Sequence, residues 1–192
     1  MVALTLPVAG CVGADTGAGA GTGDFPGVMA VARRVDTPFG ASCGTEVPGG
    51  AQTLTALGKL KALEALDRLP EVSRFAALVR TAKAQDMFES MEDVTVFVPT
   101  NAAFDLLAPV QQQKLTDPTA AGVEVRSLIV AQDLTRSDLT NQSYPTLYQG
   151  TNLHIVNVHG KITVSGAPLS CGSVTTAATR MHLLDAFPDG KV

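Results

Sequence analysis

The chain runs to 192 residues, enough for one ordinary domain with an appendage and a real hydrophobic core, so disorder throughout is excluded. Apolar residues make up 45% and charged residues 17%, with seven Phe, two Tyr and no Trp, which leaves Leu, Val, Ile and Ala to build the core. A formal charge of −4, with no Lys/Arg block beyond Arg33-Arg34, argues against a nucleic-acid or anionic-lipid surface.

Residues 1–11 are apolar and end in Val8-Ala9-Gly10-Cys11, which resembles a bacterial lipobox. Small residues there suit the signal peptidase, and the cysteine takes the lipid. On that reading the segment is a truncated signal and Cys11 is the lipidation site. No positive charge precedes it, so a chance match is the alternative. A bilayer span needs about 18 consecutive apolar residues and none occurs, which leaves lipid at Cys11 as the anchor the sequence offers.

Eleven of the eighteen glycines fall in the first 50 residues, and Val12 to Gly23 is almost wholly Gly, Ala and Thr. Such a stretch cannot bury enough apolar area to offset its ordering entropy. Residues 12–50, most plainly 12–40, are therefore read as a flexible tether, and 51–192 as the folded domain with an N-terminal helical extension. The glycines do not meet the G-x-G-x-x-G spacing of a phosphate loop. Three cysteines leave an odd one. With Cys11 assigned to lipid, Cys43 near the tether's end and Cys171 remain as a pair, and their disulfide would be worth about 3–5 kcal/mol by chain entropy. Two buried free thiols are the alternative.

From Thr53, leucines 54, 57, 60, 63, 66 and 69 recur every third residue, and Pro70 closes the run. A three-residue step drifts by about 60° on a helix of 3.6 residues per turn, so a bend at Gly58 or packing on both sides is needed. A second helix is expected from Glu71 to Phe88, with Phe75, Leu78, Val79, Ala82 and Met87 on one face. Val94 to Val98 is β-branched and aromatic, bounded by Asp93 and Pro99, and reads as a strand. Thr100-Asn101 caps the following helix through Phe104 and Leu107. Gln111 to Leu115 is a short helical turn, and Gly122 to Leu134 is read as an amphipathic helix. Leu153–Val158 and Lys161–Val164 flank His159-Gly160, a two-residue hairpin connection. Further strands fit Ser173–Thr176 and Arg180–Leu184. Helices first and strands later indicate the α+β class.

The run Thr95-Val96-Phe97-Val98-Pro99-Thr100-Asn101-Ala102-Ala103-Phe104 resembles the first signature block of fasciclin (FAS1) domains, and Met181-His182-Leu183-Leu184-Asp185 resembles the second. The similarity runs from about Pro70 to Phe187. It implies a fasciclin-like fold, helices packed on a wedge of β-sheet, and marks Thr95, Phe97, Pro99, Thr100, Asn101, Phe104, His182 and Asp185 as motif residues. Cys43 before the domain and Cys171 between the blocks are similar in placement to the disulfide of small secreted bacterial fasciclin proteins. The Tyr-His pair linked to integrin adhesion in animal members is replaced by Ala131-Gln132, so integrin recognition does not carry over. Ala178-Thr179 stands where an Asn-Gly turn is common.

Catalytic signals are scarce. His154 and His159 stand five apart, an odd interval that sends strand side chains to opposite faces. Three histidines with no Cys/His ligand spacing give no metal site, and G-x-S-x-G is absent. Asp133, Asp138 and Asp185 are separate carboxylates read as caps, turns or solvated groups. His182, on a core strand, is read as structural. Asn141-Gln142-Ser143 fits a glycosylation sequon, a chance match in a bacterial setting. The expectation is a non-enzymatic exported binding or adhesion module without cofactor, tethered through Cys11, whose partner is a surface protein, matrix or glycan. The alternative is a secreted binder of a small apolar ligand, or an enzyme whose site the sequence hides.

Overall fold

The computed structural model describes residues 36–47 and 49–188. The Cys11 segment and residues 12–35 lie outside the described residues.

Helices come first: α1 (Cys43–Glu46), α2 (Gly50–Leu57), α3 (Ala62–Asp67), a 3-10 turn (Pro70–Val72), α4 (Ser73–Thr81) and α5 (Gln85–Ser90). The leucine run is bent where its drift demands. α2 stops at Leu57, Gly58 caps it, and α3 restarts with Leu63 and Leu66 facing the core. The expected single helix over Glu71 to Phe88 is two. Lys83 takes φ +53, outside the helical region, and the Ala84 N–H returns to the Val79 carbonyl, so α4 closes before α5 begins. Phe75, Leu78 and Val79 of α4 are buried, and Phe75 meets Phe88 of α5 edge to face.

β1 (Val94–Pro99) is buried at every position and runs into α6 (Asn101–Asp105), followed by α7 (Pro109–Lys114) and α8 (Pro118–Ser127). Asp117 caps α8 by accepting the N–H groups of Thr119 and Ala120 at 3.0 and 2.9 Å, and Pro118 fills the first helical position, where no N–H is needed. The helix expected to reach Leu134 ends at Ser127. Ile129 and Val130 form β2, pairing with Val96 and Thr95 of β1, because that β-branched pair gains more in the sheet than on a helix end.

β3 (Gln142–Pro145), β4 (Asn152–Val158), β5 (Lys161–Val164), β6 (Ala167–Thr175) and β7 (Thr179–Leu184) complete a seven-stranded sheet ordered β2-β1-β7-β6-β5-β4-β3. β1 and β7 are parallel; the other pairs are antiparallel. The β4–β5 connection is His159-Gly160, both at positive φ, as a tight hairpin turn requires. Val130 bridges Thr146 just past β3, so the two outer strands meet and the sheet curls toward closure.

Residues 36–47, which composition assigns to the tether, are bound to the folded domain. Phe39 exchanges two backbone hydrogen bonds with Gly172 of β6, at 3.1 and 2.6 Å, and Cys43 is disulfide-bonded to Cys171 with Cα atoms 4.7 Å apart. A Cβ on Gly172 would run into the Phe39 ring, so glycine is what lets the segment lie flat. Residues 36–47 are thus an added rung on the sheet. Their glycine-rich surroundings mask the few contacts that matter: Asp36, Phe39 and Cys43.

Candidate functional site

The two signature segments lie side by side. β1 pairs with β7 so that Phe97 opposes His182, with ring centroids 5.4 Å apart and nearly parallel planes. Pro99 ends the strand, the Thr100 N–H reaches the Leu184 carbonyl at 2.9 Å, and the Thr100 hydroxyl caps α6 at the Ala103 N–H. Asn101 ties the corner to the preceding helices: its Oδ1 accepts the Arg74 N–H at 3.0 Å and its Nδ2 donates to the Pro70 carbonyl at 2.9 Å. Phe104 packs edge to face on Phe187 at 4.8 Å, under the Arg74 guanidinium. Thr95 donates to the Gln132 carbonyl and accepts the Leu134 N–H, at 2.7 and 2.8 Å. The Asp185 N–H reaches the Pro168 carbonyl at 3.0 Å. Each motif residue holds a strand-to-helix corner or its neighbour.

Beneath that corner lies a polar cluster that spacing did not signal. Arg180 is fully buried and forks onto Asp133, Nε to Oδ1 at 2.7 Å and Nη2 to Oδ2 at 3.1 Å, with an Asp36 oxygen 4.0 Å from Nη1. Burial pushes the Asp36 carboxyl up, but the Ser173 hydroxyl, the Arg136 N–H and the Arg180 charge together hold it below the usual range. His182 Nδ1 accepts the Ser173 N–H at 3.1 Å, so Nε2 carries the proton and donates to the Leu134 carbonyl at 2.9 Å. Burial lowers its pKa to about 4, which fixes the ring neutral at pH 7. With both nitrogens engaged and no exposure, His182 is a structural hinge between β7, β6 and the segment after β2.

The other histidines are separate. His154 Nδ1 is 2.6 Å from the Ser143 hydroxyl across β3 and β4, and His159 sits in the hairpin turn. Among the described residues no three His, Cys, Asp or Glu side chains converge as a metal site, and no helix is long and apolar enough to cross a membrane. Asp138 accepts from the Thr135 N–H and hydroxyl, and Ala131-Gln132 is exposed after β2.

Among the described residues, hollows open to the surface in the helical layer and beside the sheet. One, of about 280 Å³, lies between α4, α6 and α7, lined by Leu78, Phe104 and Leu115 with Arg74 and Gln112 at its polar side. The second, of about 350 Å³, lies where α8 faces the turn into β4, and Glu124, Ser127, Tyr148, Asn152 and His154 contribute to its wall. Glu124 is 9% exposed, and among the described residues its carboxyl has neither an ion pair nor a hydrogen bond. Burial raises its pKa to about 7. Nothing in the sequence marked it, because one acid on an amphipathic helix reads as solvated until β4 is folded over it.

The fasciclin domain profile matches residues 70–187, with both signature segments inside it. The chain belongs to the fasciclin domain family. The cell surface glycolipoproteins MPB83 of Mycobacterium bovis and MPT83 of Mycobacterium tuberculosis are each 33% identical over 96 residues, covering 48% of this chain and 42% of theirs. Among solved structures, a FAS1 domain pair from the insect cell adhesion molecule fasciclin I superposes with a TM-score of 0.53 at 17% identity, covering 66% of this chain and 49% of that one. The chain thus spans under half the length of these relatives. The likeness to the insect protein carries the fold alone. Asp36, Phe39, Cys43 and helices α1 to α3 lie ahead of the matched region, so the disulfide joins a segment before that region to a strand within it.

Proposed function

We propose that this chain is an exported, non-enzymatic fasciclin module displayed at a bacterial cell surface, tethered through lipid at Cys11 and acting in binding or adhesion. The disulfide between Cys43 and Cys171 carries the reading, because such bonds persist in oxidising compartments outside the cytosol. Membership of the fasciclin family supports it, as do the mycobacterial relatives named as cell surface glycolipoproteins. The buried ionisable groups under the signature corner support the non-catalytic part: Arg180, Asp133 and His182 spend their hydrogen bonds on one another and on backbone.

Intact mass of the protein from its native membrane tests the tether. A diacylglycerol-type adduct on a chain beginning at Cys11, two hydrogens light, is expected; an unmodified Met1 with three free thiols overturns it. For adhesion, beads coated with the chain should hold host cells or matrix above bare beads, and equal retention refutes the role.

A further inference from the structure

The Glu124 pocket is built differently from the polar cluster under β7. There the buried guanidinium is ion-paired with Asp133 and Asp36; here a carboxyl 9% exposed has no ion pair or hydrogen bond among the described residues. Burying an acid without a donor is unfavourable, and an uncompensated acid lining an open pocket is a place where a ligand can supply what the fold omits. The pocket's volume of about 350 Å³ lies at the small end of ligand sites.

Its other walls narrow the ligand's chemistry. Tyr148 is 40% exposed, and its loop is fixed by the Thr151 N–H to Tyr148 carbonyl bond and by the Thr146 hydroxyl accepting the Tyr148 N–H. The Ser127 hydroxyl donates to the Glu124 backbone carbonyl, which leaves its oxygen free to accept, and Asn152, whose amide carries an acceptor, also lines the pocket. A carboxylate, an aromatic face and neutral acceptors match a planar cation with several N–H donors: a guanidinium pairs with the carboxylate through two bonds and stacks on the ring. An ammonium uses the charge but not the plane. A chain of net charge −4 favours such a partner.

We propose that this pocket receives the arginine side chain of a partner protein, with Glu124 as counter-ion, Tyr148 as stacking face, and Ser127 and Asn152 as acceptors. This deepens the binding-module reading and rests on it. The titratable groups facing Glu124 across the pocket are Tyr148 and His154. On α8, Arg126 turns to the Gly122 carbonyl, and on α4, which packs against α8, Arg74 and Arg80 are paired with Asp105 and Asp67. Cation binding therefore draws on Glu124 ionisation. With its pKa at about 7, the ionised fraction rises roughly tenfold from pH 6 to pH 8.

The test titrates the full chain with N-acetyl-arginine amide, and with the neutral citrulline analogue, following backbone amide shifts by NMR. Saturable shifts confined to Glu124–Ser127 and Tyr148–His154 are expected, with Kd about tenfold lower at pH 8 than at pH 6. Glu124→Gln should weaken binding at least tenfold, and citrulline should not saturate. If Glu124→Gln loses its native spectrum, Tyr148→Ala, at an exposed ring, takes its place. Equal binding of citrulline, a flat pH profile, or shifts elsewhere overturns the proposal. So does stronger perturbation of the pocket by neutral disaccharides, which would make it a glycan site. If coated beads adhere while the arginine probe fails, the pocket is wrong and the module reading stands; the reverse pattern separates the two the other way.

Discussion

Two buried groups of this domain titrate against each other, and removing either should expose the other. His182 has a folded pKa of about 4 against 6.5 for the free ring. Between those values the unfolded chain holds a proton the folded one refuses, so this group's contribution is full above pH 6.5 and is lost as pH falls, by about 1.4 kcal/mol per unit. Glu124 runs the opposite way, with a folded pKa of about 7 against a free value of 4.5. The folded chain holds the proton the unfolded one releases, so its contribution is full below pH 4.5 and is lost as pH rises toward 7, at the same rate. Across pH 4.5 to 6.5 the two slopes cancel. Asp36, held below its usual value of 3.8, acts only at lower pH.

Urea unfolding between pH 4.5 and 8 is the assay. For these two groups the wild-type midpoint should stay level from pH 6.5 to 4.5. Glu124→Gln, which keeps a neutral side chain in place, should lose about 3 kcal/mol over that span, from two pH units at about 1.4 kcal/mol each. It should also be more stable than wild type at pH 8 by up to about 3 kcal/mol, because a buried unpaired carboxylate has been removed. His182→Asn should gain stability on acidification over the same span. Three superimposable profiles would refute the reasoning, whatever their absolute heights.

Asp133→Ala leaves the Arg180 guanidinium buried without its forked partner and should lower stability by about 3–5 kcal/mol in urea unfolding at pH 7, a far larger effect than removing an exposed pair such as Asp67 with Arg80. Cys43→Ser together with Cys171→Ser opens a loop of 128 residues and should lower stability by about 5 kcal/mol on the chain-entropy estimate, seen as an earlier urea midpoint; an unchanged midpoint would count against the docked N-terminal rung.

What the sequence disclosed follows from where the physics is local. Hydrophobic period and turn chemistry act within a few residues, so the β1 corner, the His159-Gly160 hairpin and the α2–α3 bend were all legible. The misread ends were settled by partners distant in sequence. Ile129 and Val130 look like a helix continuing until β1 is present to pair with them, and Lys83 breaks a helix whose apolar pattern runs on. Asp36 and Asp133 were invisible as a unit because they converge on Arg180 from positions far apart in the chain. Residues 36–47 looked like tether because composition dominated. The contacts that order them, Phe39 on Gly172 and Cys43 on Cys171, are few and lie on a strand over 120 residues away.

The acids around Arg180 and at Glu124 differ in what their carboxyls do for the fold. Around Arg180 the opposite charges are Asp133 and Asp36, and with Ser173, His182 and Arg136 the cluster joins β7, β6, the segment after β2 and the N-terminal rung in one arrangement. Removing a member should only loosen the fold. Among the described residues the Glu124 carboxyl bridges no elements, and replacing it by glutamine should strengthen the fold at pH 8. Its place on the wall of the pocket, with no partner from the fold, is what ties that cost to a ligand. The gain in stability and the loss of arginine binding in Glu124→Gln are then two readings of one fact, the transfer of a carboxylate's missing partner from the fold to the ligand.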